Sequence, residues 1–264
     1  MSAPLPLTIL TPVGMRPGER VLADEAPVAV EVNGLGYAVM MMTPAELDLF
    51  ALGFLLTERL IDGPADLLDA EVAETPAGRV LRATVAARCA GRIDDRVRHR
   101  TSDTGCGLCG ISGLEQVRRP VAAPPPAPRI APAALFAALA ALRAHQPLNA
   151  ATGAVHAAAW CDGEGAVVQA CEDVGRHNAL DKLVGWLARS EAAVQDGGFI
   201  LVTSRLSFEM VDKALVARAP LLVGVSAPTT MAVAHARAHG LTLIALARSD
   251  AMLVMSDPHH RFAA

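Results

Sequence analysis

The second half of the chain alternates short apolar runs with longer stretches whose apolar residues repeat every three to four positions. The short runs predict strands, and the longer stretches predict helices. Strands are predicted at 155–161, 166–171, 198–203, 221–226 and 241–247, and helices at 176–189, 208–218 and 228–239. Single helices between successive strands are typical of crossover connections. We therefore expect an α/β fold with a mostly parallel sheet covered by helices on both faces.

The first third of the chain is β-rich in pattern and contains one helix. Alternating residues on both sides of Asn33-Gly34 predict a hairpin. Thr43 and Pro44 predict the N-cap and first turn of a helix that continues to about residue 60, and residues 70–88 predict a strand pair. The segment 120–132 holds six prolines and predicts a stiff linker. We expect an N-terminal β-rich subdomain at 1–119, this linker, and an α/β core at 133–264 that opens with a helix over 133–145.

The composition argues against several broad classes of protein. Hydrophobic residues make up 52% and charged residues 19%, so general disorder is not expected. A formal net charge of -4 and few aromatic residues argue against nucleic-acid binding as the main task. No apolar run approaches the roughly 20 residues of a membrane span, and no Lys or Arg precedes the first apolar residues. We expect a cytoplasmic protein with neither membrane span nor signal peptide.

The polar residues of the second half concentrate in loops that follow the predicted strands. These loops cover 172–178, 203–207, 226–230 and 248–250. Ligands of open α/β sheets bind beyond the carboxyl ends of the strands, and helix N-termini favour anions. The pattern predicts a ligand that carries phosphates, although each residue alone is equally consistent with helix capping. His177 and Asp181 share a helix face, as do Asn178 and Lys182, and His177 is a candidate acid, base or ligand contact.

A purely structural role is an alternative both for the polar residues of this helix and for His156. The set on helix 176–189 is equally typical of surface salt bridges. His156, which begins a predicted strand, is more typical of a buried histidine with its hydrogen bonds satisfied.

The five cysteines include one closely spaced pair, Cys106 and Cys109, in a glycine-rich loop. A zinc site needs more ligands than this pair supplies, a zinc deaminase needs a His-x-Glu motif that the chain lacks, and a thioredoxin-like pair sits at a helix N-terminus. A sulfur carrier needs an accessible cysteine on a mobile loop, which Gly105, Gly107 and Gly110 favour. Residues 96, 98 and 100 are arginines that share one face if they lie on a strand, where they would help a thiol ionise. The spacing of the two cysteines alone favours neither redox chemistry nor sulfur transfer over the other.

Several motifs together resemble the formate dehydrogenase accessory sulfurtransferase family (the FdhD family). They are TGCGLCG at 104–110, TGAVHAAA at 152–159, EDVGRHNALDK at 172–182, SRLSFEM at 204–210 with Lys213, and SAPT at 226–229, with TP at 43–44, LGF at 52–54 and GLTL at 240–243. The long motif at 172–182 is the most specific of them, and the resemblance runs in order from about residue 20 to residue 262.

The resemblance implies a function beyond what the residues indicate alone. It implies a sulfurtransferase that accepts sulfur as a persulfide from a cysteine desulfurase. The sulfur goes to the molybdenum (or tungsten) bis-molybdopterin guanine dinucleotide cofactor, which is then inserted into formate dehydrogenase. It also implies three layers resembling the cytidine deaminase fold without zinc, a cytoplasmic location and a homodimer.

The resemblance also assigns roles to residues. Cys106 matches the persulfide-bearing cysteine, and Cys109 matches the second member of the pair, with an assisting role. The cofactor-binding segment comprises Leu246, Ala247, Arg248, Ser249, Asp250 and Ala251. This chain departs from the family there: Ala245-Leu246 stands where Gly-Phe is common, and Ser249-Asp250 where a glycine and often a basic residue occur, whereas Arg248 is retained. A carboxylate at Asp250 would not favour a nearby phosphate.

Further expectations complete this interpretation. Cys89, Cys161 and Cys171 match no family role and are expected to be ordinary buried thiols. No metal ligands are assigned, and guanine nucleotides such as GDP are expected to bind near Arg205, Arg248 and the loop at His177. A dithiol oxidoreductase that uses Cys106 and Cys109, or a non-catalytic chaperone of the molybdenum cofactor, are the alternatives.

Overall fold

The computed structural model describes residues 3–98, 121, 123–124, 129–190 and 197–262. Its strands are β1 (Leu5–Thr11), β2 (Gly14–Arg20), β3 (Ala26–Val32), β4 (Leu35–Met42), β5 (Leu67–Thr75), β6 (Gly78–Val85), β7 (His156–Asp162), β8 (Val167–Asp173), β9 (Gly198–Val202), β10 (Leu221–Gly224), β11 (Thr242–Ala245) and β12 (Leu253–Ser256). Its helices are α1 (Leu47–Thr57), α2 (Ala90–Arg98), α3 (Pro132–Leu142), α4 (Pro147–Thr152), α5 (Arg176–Arg189), α6 (Phe208–Val216) and α7 (Thr230–Ala238). None of the helices described is long and apolar enough to cross a membrane.

The C-terminal half forms a six-stranded sheet in the order β12-β11-β10-β9-β7-β8. Strands β9, β10 and β11 are parallel, whereas β7 is antiparallel to both β8 and β9, and β12 is antiparallel to β11. The sheet is therefore mixed rather than mostly parallel, which corrects the sequence-based expectation. The cause is the short turn at 163–166, which returns the chain beside itself instead of crossing over.

Helices cover both faces of this sheet. Residues of α5, α6 and α7 pack on one face against Trp160, Ile200 and Leu243. The other face packs against α3 through side chains that include Phe199 and Ile244. The expected arrangement of helix, sheet and helix is present, because β9, β10 and β11 are fully buried and need apolar partners on both sides.

The N-terminal half contains a four-stranded sheet in the order β4-β3-β6-β5. Its inner face packs against α1, whose other side packs against α5. The two helices touch through glycines: a Cβ atom on Gly53 would lie 1.7 Å from the carbonyl oxygen of Asp181, and one on Gly185 would lie 2.0 Å from that of Leu49. Helix α1 thus brings the N-terminal sheet directly against the helix that follows β8.

Helix α1 begins later than its sequence predicts. Thr43 does not cap it, because its backbone N–H donates to Asp173 Oδ2 at 3.1 Å and its hydroxyl oxygen accepts from the Val174 N–H at 3.1 Å. The helix begins at Leu47, after Glu46 in the left-handed region with φ 53°. Thr43 instead ties the N-terminal half to the loop after β8.

The region around the cysteine pair is described only in part. Residues 90–98 form α2, so the backbone at positions 96 and 98 is helical rather than the strand on which alternating arginines would share one face. The cysteine pair lies outside the described residues. The boundary predicted at 120–132 lies partly outside them and stays a prediction.

Candidate functional site

Four loops meet at one edge of the six-stranded sheet. Strand β8 runs in the same direction as β9, β10 and β11, because it is antiparallel to β7, which is antiparallel to β9. The carboxyl ends of all four strands therefore lie at this edge, here called the strand-end edge, as the sequence predicts. Ligands of α/β sheets bind at such edges.

Backbone hydrogen bonds join three of these loops to one another. The Leu206 N–H donates to the Ala227 carbonyl at 3.1 Å, and the Thr229 N–H donates to the Leu206 carbonyl at 3.0 Å. The Leu246 N–H donates to the Ser226 carbonyl at 3.2 Å. The loops after β9, β10 and β11 therefore form one continuous surface.

The segment predicted to bind the cofactor, 246–251, follows β11 at this edge. Ala247 is buried and its N–H donates to the Gly224 carbonyl at 3.1 Å, whereas residues 248–251 are exposed. The Arg248 N–H donates to the Ala251 carbonyl at 2.9 Å, which closes a turn around Ser249 and Asp250. The Arg248 guanidinium lies against the Val225 and Ala247 carbonyls. The turn thus presents polar groups to solvent, with the Asp250 carboxylate among them.

The loop after β8 is held by a buried network around Asp173. The Asp173 carboxylate accepts from the Gly175 N–H at 2.8 Å and from the Asn178 side chain at 3.1 Å, and it lies 2.7 Å from Lys182 Nζ. Lys182 Nζ also donates to the Thr43 carbonyl at 3.1 Å. Asn178 and Lys182, predicted to share a helix face, thus converge on one carboxylate.

Asp181 takes part in a second buried network. Lys213 Nζ lies 2.7 and 2.9 Å from the two Asp181 oxygens, and it donates to the Thr57 hydroxyl at 2.9 Å. Burial opposes the charged form of Lys213, but the carboxylates of Asp181, Glu209 and Glu58 together outweigh burial and raise the Lys213 pKa. The network joins α1, α5 and α6. The surface salt-bridge interpretation of helix 176–189 is therefore wrong for these residues.

His177 and Glu209 form a third pair, between the first turns of α5 and α6. His177 Nε2 lies 3.2 Å from Glu209 Oε2. Burial, with the nearby charges of Arg176 and Lys213, lowers the His177 pKa to about 3. Burial also raises the Glu209 pKa to about 7, against the attraction of Lys213. Glu209 lies in the motif at 204–210, but the sequence predicts no role for it, because its partner lies on another helix.

His156 begins β7 and is half-buried. Burial has the largest effect on His156 and lowers its pKa, and the positive charges of Arg176 and Arg205 lower it further. His156 and His177 therefore both favour the neutral imidazole, and the nearby cations that lower the His156 pKa are arginines. Arg205 itself is exposed.

The cysteines divide as expected where the structure describes them. Cys89, Cys161 and Cys171 are free and buried. Burial raises the pKa of both the Cys161 and Cys171 thiols to about 12, so neither is a ready nucleophile. Cys106 and Cys109 lie outside the described residues, and their roles stay predictions.

One group of residues in the described part of the chain has the composition of a metal site: Asp62, Asp66 and Cys89. The two carboxylates already have cationic partners, because Arg92 binds Asp62 at 2.8 Å and Arg88 binds Asp66 at 2.6 Å. Asp66 also accepts from the backbone N–H groups of residues 62 and 63. The group is a set of ion pairs rather than a metal centre.

The six-stranded sheet with helices on both faces defines an α/β protein, and its loops after β8, β9, β10 and β11 lie at the edge where proteins of this class commonly bind ligands. Residues 23–262 match the model of the FdhD/NarQ family, and the chain belongs to that family. It is 47% identical over 237 residues to "Sulfur carrier protein FdhD" of Variovorax paradoxus, covering 90% of this chain and 85% of the relative. The protein of the same name from Bordetella parapertussis is 45% identical over 237 residues, covering 90% and 86%.

A solved structure has the same fold. The crystal structure described as that of a formate dehydrogenase accessory protein from Desulfotalea psychrophila superposes with a TM-score of 0.74. The match covers 97% of each chain at 22% sequence identity. The likeness therefore extends beyond the core to nearly the whole chain.

Proposed function

We propose that this protein is a sulfurtransferase that carries sulfur as a persulfide on Cys106, with Cys109 assisting. A cysteine desulfurase supplies the sulfur, and the molybdenum bis-molybdopterin guanine dinucleotide cofactor accepts it before insertion into formate dehydrogenase. Membership of the FdhD/NarQ family and the relatives' name, sulfur carrier protein, support this proposal.

The observation that carries the proposal is the convergence of four loops at the strand-end edge. Helix α6 is capped by Ser207, whose hydroxyl accepts from the Met210 N–H, and α7 is capped by Thr229, whose hydroxyl accepts from the Ala232 N–H. Both helices begin at the edge, so their positive ends face it. With Arg176, Arg205 and Arg248 nearby, the edge suits a ligand with several phosphates, such as a guanine dinucleotide cofactor.

A complementation experiment separates this function from its alternatives. Cys106→Ala in a strain that lacks its own copy is expected to abolish formate dehydrogenase activity, whereas the control Cys171→Ala, at a buried thiol, retains it. A chaperone that only shields the cofactor would instead retain full support with Cys106→Ala. A dithiol oxidoreductase would lose activity equally with Cys109→Ala and would form a stable disulfide between the two cysteines.

A binding experiment tests the cofactor segment. GDP is expected to bind saturably to the free protein, and Arg248→Ala is expected to weaken binding about 10-fold or more, the effect of one lost charge-assisted contact. The control is Arg79→Ala, which removes a half-buried arginine that pairs with the exposed Glu74. Equal affinities for both variants would contradict a role for Arg248.

Assembly and location form part of the proposal. We expect a homodimer, which light scattering of the purified protein would detect, and a cytoplasmic location, which cell fractionation would test. A monomer at working concentration would contradict the first expectation, and recovery with the membranes would contradict the second.

A further inference from the structure

Three buried polar atoms with no aligned hydrogen bond lie together at the strand-end edge. Within the described ranges, Arg176 Nε, His177 Nε2 and Glu209 Oε2 are each shielded from solvent without an aligned partner. Native proteins satisfy nearly all buried polar atoms, so each exception needs an explanation, such as a catalytic role or an ordered water or ion. This cluster therefore needs an explanation.

The pair within the cluster has the geometry of a proton-exchange site. His177 Nε2 and Glu209 Oε2 are 3.2 Å apart, but the ring N–H direction is poorly aligned with the carboxylate oxygen. The two side chains are 20% and 17% exposed. They lie close enough to share a proton, and neither is locked into a fixed hydrogen bond.

The neighbouring Lys213–Asp181 pair provides an internal comparison. Both of its partners are fully buried, and Lys213 contacts both Asp181 oxygens and the Thr57 hydroxyl. That pair is saturated with hydrogen bonds, as structural ion pairs are. The contrast on the same two helices indicates that His177 and Glu209 serve something other than helix packing.

The surroundings decide how many protons the pair holds. Arg176 and Asp181 on α5, Lys213 on α6, His156 on β7 and Glu58 after α1 face it. Burial and the cations keep His177 neutral and lower its pKa to about 3, whereas burial raises the Glu209 pKa to about 7. The pair thus exchanges one proton close to neutral pH, as a coupled unit.

We propose that His177 and Glu209 form a proton-exchanging pair for a thiol or persulfide sulfur that reaches the strand-end edge. This inference rests on the proposed function, in which Cys106 transfers its sulfur to a cofactor bound at this edge. His177 and Glu209 thus share one role in the reaction. The pair supplies a proton to the carrier sulfur when the transferred sulfur leaves.

The step balances as follows. An acceptor that carries an electron pair forms a bond to the outer sulfur of the persulfide. The sulfur–sulfur bond breaks, and its electron pair stays on the cysteine sulfur. The proton of the His177–Glu209 pair moves to that sulfur and leaves a neutral thiol, because the usual thiol pKa of about 8.5 makes the bare thiolate a poorer leaving group at neutral pH. Water then returns a proton to the pair.

An NMR titration tests the pair without any sulfur chemistry. With glutamate labelled at the side-chain carboxyl carbon, one resonance is expected to titrate near pH 7 and to be absent from Glu209→Gln. The His177→Gln variant is expected to keep this resonance with a changed midpoint. A Glu209 carboxyl that titrates near the ordinary value of 4.5 overturns the inference.

A sulfur-release experiment tests the role. Protein loaded with persulfide is treated with cyanide, which removes the outer sulfur as thiocyanate, from pH 6 to pH 9. Dividing the wild-type rate by the Glu209→Gln rate at each pH cancels the ionisation of cyanide itself. The ratio is expected to be about 100 or more at pH 6, the lower end of the usual range for general acid–base catalysis, and to fall towards one above pH 8.

The controls keep the two proposals separable. Glu74→Gln removes an exposed carboxylate and is expected to leave the profile unchanged. When the same ratio is measured in protein that carries His177→Gln, the pH at which it falls towards one is expected to change. A merely structural role of His177 would leave that pH unchanged. A ratio near one at every pH overturns the role of the pair. Failure of the wild-type protein to load sulfur contradicts the proposed function instead, and the NMR titration then decides whether the pair exists.

Discussion

The buried Lys213–Asp181 pair offers the sharpest test of the structure that supports the site. The perturbation is Lys213→Met, which keeps the length of the side chain and removes its charge. Lys213 and Asp181 are 4% and 1% exposed, and the ammonium group makes three contacts of 2.7 to 2.9 Å. Its removal leaves a carboxylate in the interior whose remaining hydrogen bond, among the residues that the structure describes, comes from the Thr57 hydroxyl at 2.7 Å.

The expected cost follows from this burial. Removal of one partner from a buried ion pair costs about 3–5 kcal/mol, because the remaining charge is desolvated and unpaired. Asp181→Asn is expected to destabilise the protein for the same reason, since it leaves a buried ammonium group. The double variant removes both charges, so its loss is expected to be smaller than the sum of the single losses by about 2 kcal/mol or more.

Urea unfolding followed by tryptophan fluorescence measures these losses, because Trp160 is buried in the core beside α5. The matched control is Arg82→Met. Arg82 also contacts two carboxylates, Glu31 and Glu71, but it is 52% exposed, and surface pairs contribute about 0–1 kcal/mol.

The pH dependence provides a second readout of the same variant. In Lys213→Met, the unpaired Asp181 carboxyl favours its protonated form, so the deficit relative to wild type is expected to shrink as pH falls. A loss below about 1 kcal/mol, or additive losses in the double variant, would refute the reasoning.

Three further predictions follow from the packing and burial of the chain. Gly53→Ala is expected to cost about 3 kcal/mol in urea unfolding, because its Cβ would lie 1.7 Å from a carbonyl oxygen of α5 and would push the helices apart. Wild type is expected to lose stability as the pH falls from 6.5 to 4, because burial lowers the folded-state His177 pKa to about 3 and only the unfolded chain binds that proton readily. His177→Gln is expected to lose less stability over this range, which thermal unfolding measures. Cys161 and Cys171 are expected to resist alkylation at pH 8 until urea unfolds the protein, as peptide mass spectrometry would show, and rapid labelling of either in the native state would contradict their burial.

The fold was predictable from the sequence where local pattern determines structure. Helix 176–189 has the predicted bounds, and four loops meet at one edge as the alternation of strands and helices indicates. The direction of each strand was not predictable in the same way, because a buried apolar run has the same pattern whether its strand is parallel or antiparallel to its neighbour. The turn at 163–166 and the return of β12 beside β11 make the sheet mixed.

The candidate site was likewise predictable from the sequence only where local pattern determines the position of a residue. The segment 246–251 lies at the predicted edge, because it follows a strand whose position the pattern fixes. The pairing of His177 with Glu209 joins two helices, and no spacing within either helix encodes it. Thr43 shows the opposite error, because a residue typical of a helix cap instead binds Asp173 and Val174, far along the chain. Charged residues at 181, 182 and 213 among leucines and alanines were the available sign of buried networks.

The persulfide itself tests the central proposal most directly. The purified protein is incubated with a cysteine desulfurase and cysteine, and the intact protein and its peptides are weighed by mass spectrometry without reductant. We predict a mass increase of one sulfur atom on the peptide that contains Cys106, its loss in Cys106→Ala, and its retention in Cys171→Ala. A Cys106→Ala protein that still carries the added sulfur would contradict the assignment.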